Sequence, residues 1–99
     1  MVHALQTPDI IKVASESHPK SVAGAIAGTV RDFGYAEVQA IGAGAVNQAV
    51  KAMAIATRYL AEDGLGIHML PSFKDIEIGD HQRTAIRFKI ESRANNVAL

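Results

Sequence analysis

Cysteine and tryptophan are missing from this sequence. The first absence removes disulfides, thiolate catalysis and cysteine zinc sites together. Aromatic residues make up only 5%: Phe33, Tyr35, Tyr59, Phe73 and Phe88 are too few for extended stacking of single-stranded bases. Neither sign of charge is in excess, with 10 basic and 10 acidic residues, so any polyanion must be met by a local patch. No apolar run approaches the roughly 18 residues of a membrane-spanning helix. The opening Met1-Val2-His3-Ala4-Leu5-Gln6-Thr7-Pro8 lacks a basic region followed by an apolar core. A cytoplasmic protein with no membrane partner is expected.

What is present is an ordinary globular composition, 48% hydrophobic and 20% charged over 99 residues, enough for one small domain with a modest core. No internal repeat, linker or low-complexity segment divides it. Residues 1–9 carry little pattern and are expected to be a loose lead-in, residues 10–93 a single domain, and residues 94–99 a frayed tail.

Along the domain, β-branched residues at 10–14 predict a strand. Ser17 is the expected N-cap of a first helix, with Pro19 in its first turn. Val22, Ile26, Val30 and Phe33 recur at helical spacing, and Gly34 supplies the stop. Gly24 and Gly28 lie on that helix four apart, a spacing that predicts close backbone packing. Residues 36–41 alternate as a half-buried strand. A second helix is expected over 45–60, with Val46, Val50, Met53 and Leu60 facing the sheet. Ala52, Ile55 and Tyr59 make an offset second stripe, expected to be a homodimer interface. Residues 65–73 predict a third strand in which Pro71 implies an edge or a break. Gly79-Asp80 suits a hairpin turn, and Thr84, Ile86, Phe88 and Ile90 alternate as the last strand. The order β-α-β-α-β-β predicts an α+β, two-layer fold: a four-stranded mixed sheet with two helices on one face.

The stretch Ala40-Ile41-Gly42-Ala43-Gly44-Ala45 carries the strongest local signal. A strand passing through two glycines into a helix points unpaired N–H groups and a positive dipole end at whatever lies in front, which favours an anion such as phosphate. Glycines at such a junction serve tight turns and close packing more often than ligands. Asn47 and Lys51 share one face of the helix, with Arg58 further along the same stripe.

Catalytic chemistry finds little support. The 4 histidines, His3, His18, His68 and His81, are scattered without the spacing of metal ligands on a helix. Ser15, Ser17 and Ser21 suit capping better than nucleophilic attack. No catalytic residue, metal or cofactor is expected, and the protein is read as a non-enzyme.

The sequence resembles the stage V sporulation protein S family. The resemblance rests on Lys12-Val13-Ala14, Ser21-Val22-Ala23-Gly24-Ala25-Ile26-Ala27-Gly28, Ala36-Glu37-Val38-Gln39-Ala40-Ile41-Gly42-Ala43-Gly44-Ala45, Asn47-Gln48-Ala49-Val50-Lys51-Ala52, Asp75-Ile76-Glu77-Ile78 and Arg83-Thr84-Ala85-Ile86. That family is similar in turn to the Alba chromatin proteins, which share this element order, form dimers and bind DNA or RNA. The resemblance implies an Alba-like domain and a small dimeric nucleic-acid-binding regulator with no catalytic role. By position it implies contacts from Lys20 before the first helix, from Gly42 and Gly44 in the loop, and from Arg83 in the hairpin. Lys51, Arg58 and Asn47 follow from the helix-face argument instead. Sporulation is a property of an organism, and no residue reports it.

Three functions are therefore weighed. The first is a regulator that binds the phosphate backbone of DNA or RNA weakly, with salt sensitivity and little sequence preference. A protein-interaction or assembly module, using Ile76 and Ile78 on an acidic hairpin, is the second. The third is a phosphate or nucleotide sensor at the glycine loop.

Overall fold

Six elements follow one another in the order expected from the sequence, and the computed structural model describes residues 6–94 of the chain. They are β1 (Ile11–Val13), α1 (Pro19–Phe33), β2 (Tyr35–Ala40), α2 (Ala43–Ala61), β3 (Leu65–Ile78) and β4 (His81–Ala94). The expected loose ends lie outside the described residues over 1–5 and 95–99. The sheet is mixed, in the order β1-β2-β4-β3. β1 runs parallel to β2, as a strand-helix-strand crossover requires, and the remaining pairs are antiparallel.

Register assigns the faces. Ala36, Val38 and Ala40 of β2 stand opposite Ile90, Phe88 and Ile86 of β4, which stand opposite Met69, Pro71 and Phe73 of β3. The helices cover this side. The core gathers Val13, Ile26, Val30, Val38, Met53, Leu60, Phe88 and Ile90 with a set of alanines from both helices. On the other side Lys12, Gln39 and Arg87 fall in one row, Glu37 and Lys89 in the next, and Tyr35 and Glu91 in a third. The Lys89 ammonium lies 5.3 Å from the centre of the Tyr35 ring, a cation–π contact on an otherwise open sheet face.

Several local expectations need correction. His18 and not Ser17 is the N-cap residue of α1, and it makes no side-chain cap. The Ser17 hydroxyl instead accepts the Ala14 N–H at 2.9 Å, bracing the loop rather than the helix. On α2 the buried stripe is Ala45, Ala49, Ala52, Met53, Ala56 and Leu60, while Val50 is 48% exposed. Alanine lets the helix sit close to the sheet and to α1; Val46, Met53 and Leu60 pack on the core as expected, and Val50 alone of the expected stripe is turned out. Gly24 and Gly28 do not mediate close packing within the chain. A Cβ built at either would have nothing within 4 Å.

Other expectations hold. Gly34 closes α1 in the left-handed conformation, its N–H bonded to the Val30 carbonyl at 2.8 Å. Pro71 lies on an edge strand without breaking it. Gly79, at φ 60, and Asp80 form the two-residue hairpin loop. β3 and β4 are each 14 residues long, far longer than β2, so their turn end projects past the body as an arm.

Hydrogen bonds tie the helix layer together at both ends. Gln48 donates through Nε2 to the Ser17 carbonyl at 2.8 Å. At the opposite end Arg31 is paired with Asp63 and donates to the Tyr59 carbonyl at 3.3 Å.

Candidate nucleic-acid interface

Parallel pairing of β1 and β2 brings the N-termini of α1 and α2 to the same end of the sheet. Neither helix has an acidic residue in its first turn or a side-chain cap. Intrahelical bonding begins at Val22, bonded to the His18 carbonyl at 3.1 Å, and at Val46, bonded to the Gly42 carbonyl at 3.0 Å. The free N–H groups that precede them leave two positive dipole ends side by side.

Beside this end lies a groove of about 490 Å³ lined by His18, Pro19, Lys20, Lys51, Ala54 and Ile55. Lys20 comes from the first turn of α1 and Lys51 from the middle of α2, so the groove spans the seam between the helices. No carboxylate lines it. Both lysines are exposed, and neither forms an ion pair among the described residues. A floor of proline, alanine and isoleucine under two ammonium groups and an imidazole attracts anions, and no acidic neighbour compensates it.

The glycine loop does not join this groove. Gly42 has φ 93 and ψ 157, a conformation closed to residues with a Cβ. At Gly44 a Cβ would lie 3.0 Å from the Cβ of Ser15. The pair thus serves a turn and a close approach of two loops. Gly44 lines a second cavity, with Glu16 and Glu77 on its wall. The structure therefore brings together Lys20 and Lys51 but sets Gly44 apart from them, next to carboxylates.

The remaining sequence candidates are dispersed. Asn47 is exposed on α2, one turn before Lys51, and Arg58 is exposed in its last turn. Arg83 lies on the hairpin arm opposite Ile76, which Asp75 and Glu77 flank on the facing strand, with Asp80 in the turn. Of the expected dimer residues, Ala52 is fully buried within the single chain, while Ile55 and Tyr59 are half-buried against the core. Ala52 is thus a core residue: it belongs to the alanine stripe under α2 and is closed to a partner. The large exposed apolar side chains are elsewhere, at Val50, Leu70, Ile78 and above all Phe73, which is 78% exposed.

With this geometry in view, comparison with known families gives a direct result. Residues 9–93 match the stage V sporulation protein S (SpoVS) family. The chain belongs to that family. The match begins before β1 and ends in β4, so the groove, the glycine loop and the hairpin arm are all inside it.

Sequence reasoning missed His18 and Pro19 as groove residues, although they immediately precede Lys20. It also missed Lys12, Glu16, Gln39 and Glu77 around the glycine loop. Their signal is visible only once the register of β1 and β2 and the fold of the arm are known.

Proposed function

We propose that this protein is a dimeric, non-catalytic regulator that binds the phosphate backbone of DNA or RNA through the seam between its helices. The observation that carries the reading is the shared groove of Lys20 and Lys51, free of carboxylates and next to the uncapped N-terminus of α1. Phosphate contacts of this kind supply affinity without reading bases, so binding is weak and largely independent of sequence. Asn47 and Arg58 extend the surface along α2, and Arg83 is an outlying contact. Gly42 and Gly44 act indirectly, by fixing where α2 begins.

The dimer places a second copy over the apolar strip on the helix-bearing side. There Phe73 and Pro71 are exposed and Ile86 is half-covered, and the three share a shallow hollow with Ser72. A symmetric pair would then carry two grooves and double the number of cations available to one nucleic acid.

Fluorescence anisotropy with labelled duplex DNA and single-stranded RNA at two salt concentrations tests the reading. Affinity is expected to fall as salt rises, and Lys20→Glu to weaken both by at least about tenfold, the order of magnitude of one lost charge contact. Binding that survives Lys20→Glu and Lys51→Glu unchanged would remove the groove from consideration.

A further inference from the structure

Alternation along the hairpin arm sorts its charges onto two faces. Phe73, Asp75 and Glu77 stand opposite Ile86, Thr84 and Gln82, and alternate residues of a strand share one side. The Thr84 hydroxyl accordingly donates to the Asp75 carboxylate at 3.2 Å. Lys74 and Arg83 fall on the other side, opposite Ala85 and Ile76. Outward from its root, one face of the arm therefore runs apolar, acidic, acidic, with no basic residue between. Asp75 and Glu77 are exposed, and neither forms an ion pair among the described residues.

The groove between the helices has the complementary pattern. Its floor is Pro19, Ala54 and Ile55, and Lys20 and Lys51 stand over it with no carboxylate. The arm of the same chain does not supply one, since every residue lining the groove comes from 18–20 or 51–55. The arm leaves the sheet beyond the pairing of Ala40 with Ile86, at the end of β2 from which the chain turns into α2. The groove opens beside the start of α1, at that same end. A twofold axis placed there brings each arm to the groove of the other copy, so the contact is reciprocal and closes on two chains.

We infer that the acidic face of the arm docks on the Lys20 and Lys51 groove of a second copy, with Asp75 and Glu77 received by the two ammonium groups. Phe73, at the root of the same face, is the apolar contact that holds the copies together. The inference rests on the pairing of copies proposed above and not on nucleic acid. Charge balance favours a second copy as the occupant: the chain has 10 basic and 10 acidic residues, and each of these two surfaces supplies what the other lacks. The consequence is competition. The carboxylates occupy the groove where phosphates would bind, so a polyanion must displace them while Phe73 keeps the pair joined. Exposed ion pairs are weak and screened by salt, which makes the arm a gate that yields to a more highly charged ligand.

Carbodiimide cross-linking, which joins a lysine to a carboxylate in contact with it, tests this on an equal mixture of isotope-labelled and unlabelled full chain. Mass spectrometry of the digest is expected to find Lys20 or Lys51 joined to Asp75 or Glu77 across labelled and unlabelled copies at low salt. The bridge should be lost at about 1 M salt, where screening leaves a reach of about 3 Å. Charge exchange adds a second arm. A variant with Lys20→Glu and Lys51→Glu, and another with Asp75→Lys and Glu77→Lys, should each show no bridge alone, and mixing the two should restore it. All four residues are exposed, so the exchanges do not threaten the fold. Bridges confined within single copies, no bridge between the two surfaces, or no restoration in the mixture would overturn the proposal. Duplex DNA added to the unaltered mixture separates it from the nucleic-acid reading. Loss of the bridge as DNA binds supports the competition, and a bridge that persists with DNA bound overturns it. If DNA does not bind and the bridge stands, the docking holds and the nucleic-acid reading fails. DNA binding that depends on Lys20 without any bridge sinks the docking and leaves that reading in place.

Discussion

Ser15 and Gly44 pack so tightly that a Cβ added to the glycine would come to 3.0 Å from the serine Cβ, and Ser15 would have to shift to admit it. The contact joins the β1–α1 loop to the start of α2 and fixes both helix N-termini in one place. It also separates two kinds of glycine in this chain, which substitution should tell apart. Gly44→Ala should cost about 1–2 kcal/mol by overpacking, and Gly42→Ala a similar amount because of its backbone angles. Gly24→Ala, where nothing opposes the added methyl, should stabilise a monomer by about 0.5–1 kcal/mol through helix propensity. Urea unfolding of the three variants checks the signs. A destabilised Gly24→Ala would mean that another molecule covers that face.

The two cations on α2 should differ in weight. Lys51 shares the groove with Lys20, whereas Arg58 lies two turns further on. Lys51→Ala is expected to lower the slope of log affinity against log salt by about one, and Arg58→Ala to change it less. Equal effects would place the nucleic acid along the whole helix rather than at the seam.

Gln39 and Arg87 form a polar pair inside the sheet, and the Arg87 Nε is already buried without a partner. Gln39→Leu alone should cost roughly 1–3 kcal/mol, because the guanidinium loses its acceptor. Joined with Arg87→Leu, much of that loss should be recovered. A double-mutant cycle by thermal denaturation measures the coupling, and simple additivity would show that the pair is not a unit.

The proposed dimer contact at Phe73 and the core contact at Ala52 are separable by substitution. Under the proposed dimer, analytical ultracentrifugation should show the unaltered chain as a dimer and Phe73→Asp as a monomer, with the far-ultraviolet circular dichroism of the chain intact. Ala52→Leu should instead lower folding stability by about 1–3 kcal/mol, since the site is filled within the chain. If Ala52→Leu dissociates the dimer without loss of stability, the two roles are reversed.

Glu16 offers a test by titration. Its carboxyl is held below the usual range, first by the Ser15 hydroxyl and then by its own backbone N–H. Ser15→Ala removes the larger cause and keeps the Cβ that meets Gly44. The Glu16 side-chain carbon signal should then titrate at higher pH than in the unaltered protein. An unchanged midpoint would show that the hydroxyl is bonded elsewhere.

Element order, the α+β plan, the stop at Gly34 and the Gly79-Asp80 turn were legible because each depends on neighbours in sequence. Periodicity in β4 and the β-branched run of β1 needed no tertiary information. The helix faces were not legible in the same way. Large residues were weighted above alanine, yet close packing of α1, α2 and the sheet selected Ala45, Ala49, Ala52 and Ala56 for the core and left Val50 outside. The meeting of Lys20 and Lys51 was foreseeable only in part, since the chain separates them by a strand and the crossover alone brings them back. The second cavity was beyond reach, because its wall is made by Ile76 and Ile78 of the projecting arm.

That arm has a further consequence for how the chain behaves among copies of itself. β2 pairs with β4 only as far as Ile86, so both borders of the hairpin beyond that point offer unused peptide groups on which a stray strand could grow. Asp75, Glu77, Asp80 and Arg83 stand there, and like charges brought into register would repel such an intruder. The acidic character that makes the arm a poor nucleic-acid clamp is thereby its guard against aggregation.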